Sequence, residues 1–145
     1  MADRLATVSG FVTEEIREGG RRVGFAVEAL GGERGVLAHV DFPGPPRVGR
    51  YGVDLEAFER IAIPAVWEAR GVVIIDELGK MELASPAFVD AVRALIARPV
   101  ALLATVQLTS HPFTDELKRR DDAELVRVTR ANRDALPERL AARLS

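Results

Sequence analysis

At residues 71–83 the chain reads GVVIIDELGKMEL. Four β-branched residues, Val72 to Ile75, run into two adjacent acids, Asp76 and Glu77. In open α/β sheets, ligands bind beyond the carboxyl ends of the strands. A carboxylate placed there can hold Mg²⁺, usually through the metal's waters. A second carboxylate beside it can orient an attacking water or accept its proton. Lys80 and Glu82 follow on the same loop and are candidates to contact phosphate or neighbouring backbone. The plainer alternative is a strand that stops where the chain turns polar, and the tetrapeptide plus two acids does not by itself decide between the two.

Other side chains with chemical potential carry less. The chain has two histidines, His39 and His111, and no cysteine, which argues against zinc, a thiolate nucleophile and a disulfide framework. His39 lies in an apolar stretch and reads as a structural histidine; His111 stands just before a helix and reads as a helix-start residue. Ser85 precedes Pro86, the pattern of a helix cap, and no G-x-S-x-G elbow surrounds it. Phe58 and Trp67 fall at helical spacing and are expected in the core, with base stacking as the alternative.

These residues need elements to hold them. A chain of 145 residues suggests one domain, residues 1–145, large enough to bury a core. Net charge is −2, which gives no strong nucleic-acid signal. The first ten residues have no apolar signal-peptide region, and no apolar run approaches the roughly 20 residues of a membrane helix. The expectation is a cytoplasmic protein with no membrane partner.

Residues 8–40 read as an antiparallel meander of three strands, punctuated by Gly19-Gly20 and Gly31-Gly32. The Pro- and Gly-rich stretch 41–52 reads as a loop. Asp54 caps a helix that Pro64 should kink or split and that Gly71 ends. Residues 72–76 form a strand buried on both faces, 85–99 a capped helix, and 100–106 a second strand covered on both faces. A short helix at 111–120, an alternating strand at 124–129 and a closing helix complete the chain. Helices alternating with strands predict an α/β fold with a parallel sheet, flanking helices and an N-terminal antiparallel hairpin extension.

Longer strings go further. GFVTEEIR, GFAVEAL, VGRYGVDLEAFERIAIP, VVIIDELGKMEL and TRANRD resemble the P-loop nucleoside-triphosphatase family, that of cancer-related nucleoside-triphosphatase and its thermophilic prokaryotic relatives. The resemblance runs from about Val8 to the C-terminus. It implies a RecA-like fold and slow Mg²⁺-dependent hydrolysis of ATP, GTP and other nucleoside triphosphates. It also implies that Asp76 is the Walker B acid on the metal side and that Glu77 is the water-activating acid. Lys80 and Glu82 match the same motif, and Asn132 and Arg133 fall in a C-terminal motif near the nucleotide. Glu14, Glu15 and Arg17 are placed toward the nucleotide side, with a solvated, charge-alternating strand end as the alternative. For Arg133, a salt bridge on the last helix is an equal alternative.

The resemblance also implies a first strand, a phosphate loop G-x-x-x-x-G-K-[ST] and a helix. No such loop occurs in the 145 residues: the only Gly-Lys pair is Gly79-Lys80, followed by Met81. A strand, loop and helix need roughly 25–30 residues, and seven precede Val8. The expectation is therefore a nucleoside-triphosphatase with Walker B retained and Walker A absent. Three readings account for it: a chain start misplaced or trimmed, a degenerate relative that has lost hydrolysis, or a partner chain that supplies the strand and loop. A different class of function also stands, a non-catalytic nucleotide-binding or protein-interaction module using the same sheet edge and meander.

Overall fold

The computed structural model describes residues 8–144. Strands β1 (Val8–Glu18), β2 (Arg21–Ala29) and β3 (Arg34–His39) form the expected antiparallel meander. Gly19 and Gly20 join β1 to β2 with φ of 58° and 78°, a conformation a two-residue hairpin turn needs and glycine supplies without strain.

β1 has a second role. Its other edge pairs in parallel with β6 (Val72–Leu78), from Val8 opposite Val72 to Val12 opposite Asp76. β7 (Ala101–Val106) then pairs in parallel with β6. Gly10 makes the β1–β6 approach feasible: its φ is 110°, and a Cβ there would lie 1.9 Å from the Ile74 carbonyl oxygen. With β4 (Arg47–Val48) and β5 (Tyr51–Val53), the seven-stranded sheet has the order β4-β5-β3-β2-β1-β6-β7. The fold class is the expected α/β type, with a parallel part of three strands and a larger antiparallel extension than the sequence suggested.

Helix α1 (Leu55–Trp67) starts where the Asp54 carboxylate accepts the Ala57 N–H at 3.0 Å. Pro64 does not split it, because the proline sits on the exposed side, where water can take up the freed carbonyl. α2 (Pro86–Ile96) starts at Ser85, whose hydroxyl accepts the Phe88 N–H at 3.0 Å. The two helices pack on one face of the sheet. Phe11 of β1, Phe58 of α1 and Phe88 of α2 form an edge-to-face triangle with centroids 4.9–5.8 Å apart, all fully buried.

Several sequence expectations are corrected. Residues 41–52 are not wholly loop: β4 (Arg47–Val48) and β5 (Tyr51–Val53) form a short hairpin, and β5 extends the meander beside β3. β6 is buried on one face only. Val73 and Ile75 are fully buried against the helices, whereas Val72 and Ile74 are partly exposed, and no residue of β7 is fully buried. The apolar composition of a strand does not reveal whether a second layer covers it. Trp67 is not core; it is 65% exposed at the end of α1, which closes at Glu68 rather than Gly71. Residues 124–129 form no strand, for among the described residues no neighbouring strand satisfies their backbone groups, and Leu125 and Val128 are exposed.

The described residues divide into two compact units, one spanning 8–107 and one spanning 108–144. The first holds the sheet with α1 and α2. The second holds α3 (Pro112–Lys118) and α4 (Leu136–Leu144), with Phe113, Thr114 and Leu136 buried.

Candidate active site

β6 carries Asp76 to the carboxyl edge of the parallel strands, and both neighbouring strands hold it there. The Thr13 hydroxyl of β1 donates to the Asp76 backbone carbonyl at 3.0 Å. The Thr105 hydroxyl of β7 donates to Asp76 Oδ1 at 2.6 Å. The β6–β7 ladder breaks register between Ile75 and Leu78, so Asp76 and Glu77 are skipped. A break of this kind re-aims side chains that a regular ladder would alternate. The Asp76–Glu77 peptide is cis.

Glu77 then meets Glu82. The segment after β6 folds back through a short 3₁₀ turn, Glu82–Ala84, closed by Leu83 N–H to the Gly79 carbonyl at 2.9 Å. This brings Glu82, only 4% exposed, under Gly79, whose N–H donates to Glu82 Oε1 at 3.1 Å. Gly79 is the hub of the acids: a Cβ there would lie 3.0 Å from Glu82 Oε1 and 3.2 Å from Glu77 Oε2.

Electrostatics follow from that crowding. Burial pushes the Glu82 carboxyl up to about 7, opposed by hydrogen bonds from its own and the Gly79 backbone N–H and reinforced by the charges of Glu77 and Asp76. Desolvation also raises Glu77, with the Asp76 charge adding to it. The Glu77 side chain exposes much of its area to water, and the protein atoms around its carboxyl still desolvate it. Buried acids with unequal environments are a recurring feature of sites that handle protons.

The remaining candidates are distributed as follows. Lys80 is exposed on the same loop. Glu14 pairs with Arg34 at 2.6 Å, and Arg34 also pairs with Glu28 at 2.9 Å. Glu15 pairs with Arg17 at 3.0 Å and with Arg22 at 3.2 Å. Asn132 and Arg133 belong to the other compact unit, where Asn132 closes a turn by accepting the Thr129 N–H at 2.8 Å and donating to the Arg127 carbonyl at 2.9 Å. His39 accepts the Asp41 N–H at 3.0 Å, and His111 caps α3 by accepting the Phe113 N–H at 3.1 Å.

Thr105 and Gly79 were not singled out as functional by sequence. Thr105 had a signal: it is the one hydroxyl in an otherwise apolar strand, VALLATV. Gly79 had none, because its tightness comes from two glutamates folding back onto it.

A sheet with acids at its parallel carboxyl edge, in this topology, is a P-loop NTPase-type α/β fold. The chain belongs to the nucleoside-triphosphatase family, whose profile, described as NTPase, matches residues 1–141. It is 40% identical over 135 residues to nucleoside-triphosphatase THEP1 of Thermotoga petrophila, covering 91% of this chain and 75% of that protein. It is 41% identical over 145 residues to human cancer-related nucleoside-triphosphatase, covering 89% of this chain and 76% of that protein. Its fold superposes on the crystal structure of THEP1 from Aquifex aeolicus with a TM-score of 0.88 at 36% identity, covering 99% of this chain and 88% of that one.

Proposed function

We propose that Asp76 and Glu77 are the metal-side and water-side acids of a Mg²⁺-dependent nucleoside triphosphate hydrolysis, yielding nucleoside diphosphate and phosphate. The observation carrying this reading is the pair of acids at the parallel carboxyl edge, with Asp76 tethered from both neighbouring strands. Mg²⁺ takes one or two protein carboxylates and fills its shell with waters and phosphate oxygens. Asp76 would hold the ion, which when bound supplies positive charge to the phosphate oxygens.

The chain's own groups do the rest. Glu77, exposed at the loop, orients the attacking water and accepts its proton. Glu82 fixes the loop from below through Gly79. Lys80 offers a cation on the same loop; for Asn132 and Arg133, in the other unit, a nucleotide contact remains what the family resemblance implies. Glu14, Glu15 and Arg17, which the resemblance places toward the nucleotide side, lie further along β1 as an ion-paired strand end.

A phosphate tail also has to be gripped, normally by backbone N–H groups of a glycine-rich loop and its lysine. The 145 residues contain no G-x-x-x-x-G-K-[ST] string. Within these 145 residues we read Walker B without Walker A. The chain alone is expected to release no phosphate from ATP or GTP above background. Preceded by a strand–G-x-x-x-x-G-K-T–helix segment, it is expected to turn over, with a loss of about 10²-fold or more in Glu77→Gln. Turnover by the 145-residue chain that Glu77→Gln abolishes would show that another segment grips the phosphates. Turnover by the extended chain that ignores Glu77→Gln would remove Glu77 from the mechanism.

A further inference from the structure

The turn end of the meander holds an arginine cleft that the acidic site does not use. It is about 550 Å³ and is lined by Glu18, Arg21, Arg22, Val23, Val40 and Arg50. Behind two of these arginines the Tyr51 hydroxyl oxygen accepts from Arg22 Nε at 3.0 Å and from Arg50 Nη2 at 3.2 Å. The Tyr51 ring is buried and packs edge-to-face on Phe25 at 5.2 Å. The Arg22 guanidinium lies 5.4 Å over Phe25, and that of Arg50 lies 5.3 Å over Tyr51. Two like charges are thus locked side by side on one rigid aromatic base.

Their charge is poorly matched. Arg22 has a carboxylate, Glu15, which it shares with Arg17. Arg50 spends its donors on the phenol and on the Arg22 carbonyl. Arg21 makes no ion pair among the described residues, and Glu18, opposite it in the hairpin, is the one acid in the cleft. A chain with net charge −2 therefore concentrates three guanidiniums against one lining carboxylate. Hydrogen bonds from Arg50 and then Arg22 also hold the Tyr51 phenol below its ordinary range.

Rigid planar forks with spare N–H donors match the oxygens of a phosphate group, where lysines would offer only point charges. We propose that this cleft binds the phosphate group of a small phosphorylated molecule. It is a second site, separate from the acids. Along β1, Val12 stands opposite Asp76 and Arg17 opposite Arg22, so the two levels are about 17 Å apart at strand rise. The proposal therefore does not depend on the hydrolytic reading.

The test follows the arginine Nε–Hε resonances of the 145-residue chain while it is titrated, without Mg²⁺, with inorganic phosphate, pyrophosphate and ATP, against chloride as the control. Saturable shifts at Arg21, Arg22 and Arg50 are expected. The tightest of the three probes tells whether a free phosphate or a nucleotide is the better ligand. Arg21→Ala removes an exposed, unpaired side chain and should leave the unfolding midpoint unchanged while weakening binding about tenfold. Arg50→Lys keeps the charge and loses the fork, and a similar loss is expected. The proposal is overturned if no probe gives saturable shifts, if chloride reproduces them, or if both variants bind like the parent chain.

Discussion

Replacing Glu82 with Gln tests the account of the acidic loop. Glu82 is 4% exposed, and its carboxyl is raised from 4.5 to about 7. An acid whose folded value lies above its unfolded one holds its proton longer in the folded state. Below 4.5 both states are protonated and the group costs nothing. Between 4.5 and about 7 the unfolded chain releases the proton and the folded chain does not, so stability falls as pH rises; above about 7 the loss is complete. The interval corresponds to about 3 kcal/mol. Gln has nearly the same shape and keeps an oxygen to accept the Gly79 N–H, but it carries no charge at any pH. Glu82→Gln should therefore match the parent below pH 4.5 and exceed it by up to about 3 kcal/mol above pH 7. Glu77 is raised in the same direction and stays in both chains, so the difference between them reports on Glu82. Urea unfolding followed by circular dichroism across this range measures it. A constant difference between the two chains, or a parent more stable at high pH, would refute a buried carboxyl that resists ionisation.

Two further outcomes concern the frame. Gly10→Ala forces a methyl onto the Ile74 carbonyl, 1.9 Å from where it would sit, at a φ that alanine avoids; thermal unfolding should show a loss of about 3 kcal/mol or more, and a near-neutral result would mean that β1 and β6 do not pair in this register. Trp67→Ala, despite the size of the residue, should change stability by no more than about 0.5 kcal/mol in the same assay, since the ring is 65% exposed.

Local signals in the chain were strong where physics is local. Asp54 and Ser85 cap their helices as their positions predict, and Gly19-Gly20 turns the hairpin, because each effect spans three or four residues. The acids at the end of β6 were legible for the same reason: an apolar run followed by two carboxylates states both burial and its end. What the sequence could not convey was partnership. The pattern ELVRVT at 124–129 alternates like a strand and still forms none, and VALLATV looks fully covered although its residues remain partly exposed. Trp67 stands between the fully buried Val66 and Ala69 and still faces outward. Within the site, Glu82 was legible as a candidate to contact phosphate or neighbouring backbone; its burial was not, because only the fold-back through Gly79 makes it a buried acid facing Glu77.

β1 is shared by two neighbours that join the sheet on very different terms. β2 follows it after two glycines, whereas the ladder to β6 unites residues as far apart as Val8 and Val72. Closing a hairpin is quick, and closing a long loop carries a larger entropic cost and comes later. The meander can therefore assemble first and present a bare strand edge on which the second half of the sheet condenses. Asp76 and Glu77 take their places beside β1 only when that longest closure is made.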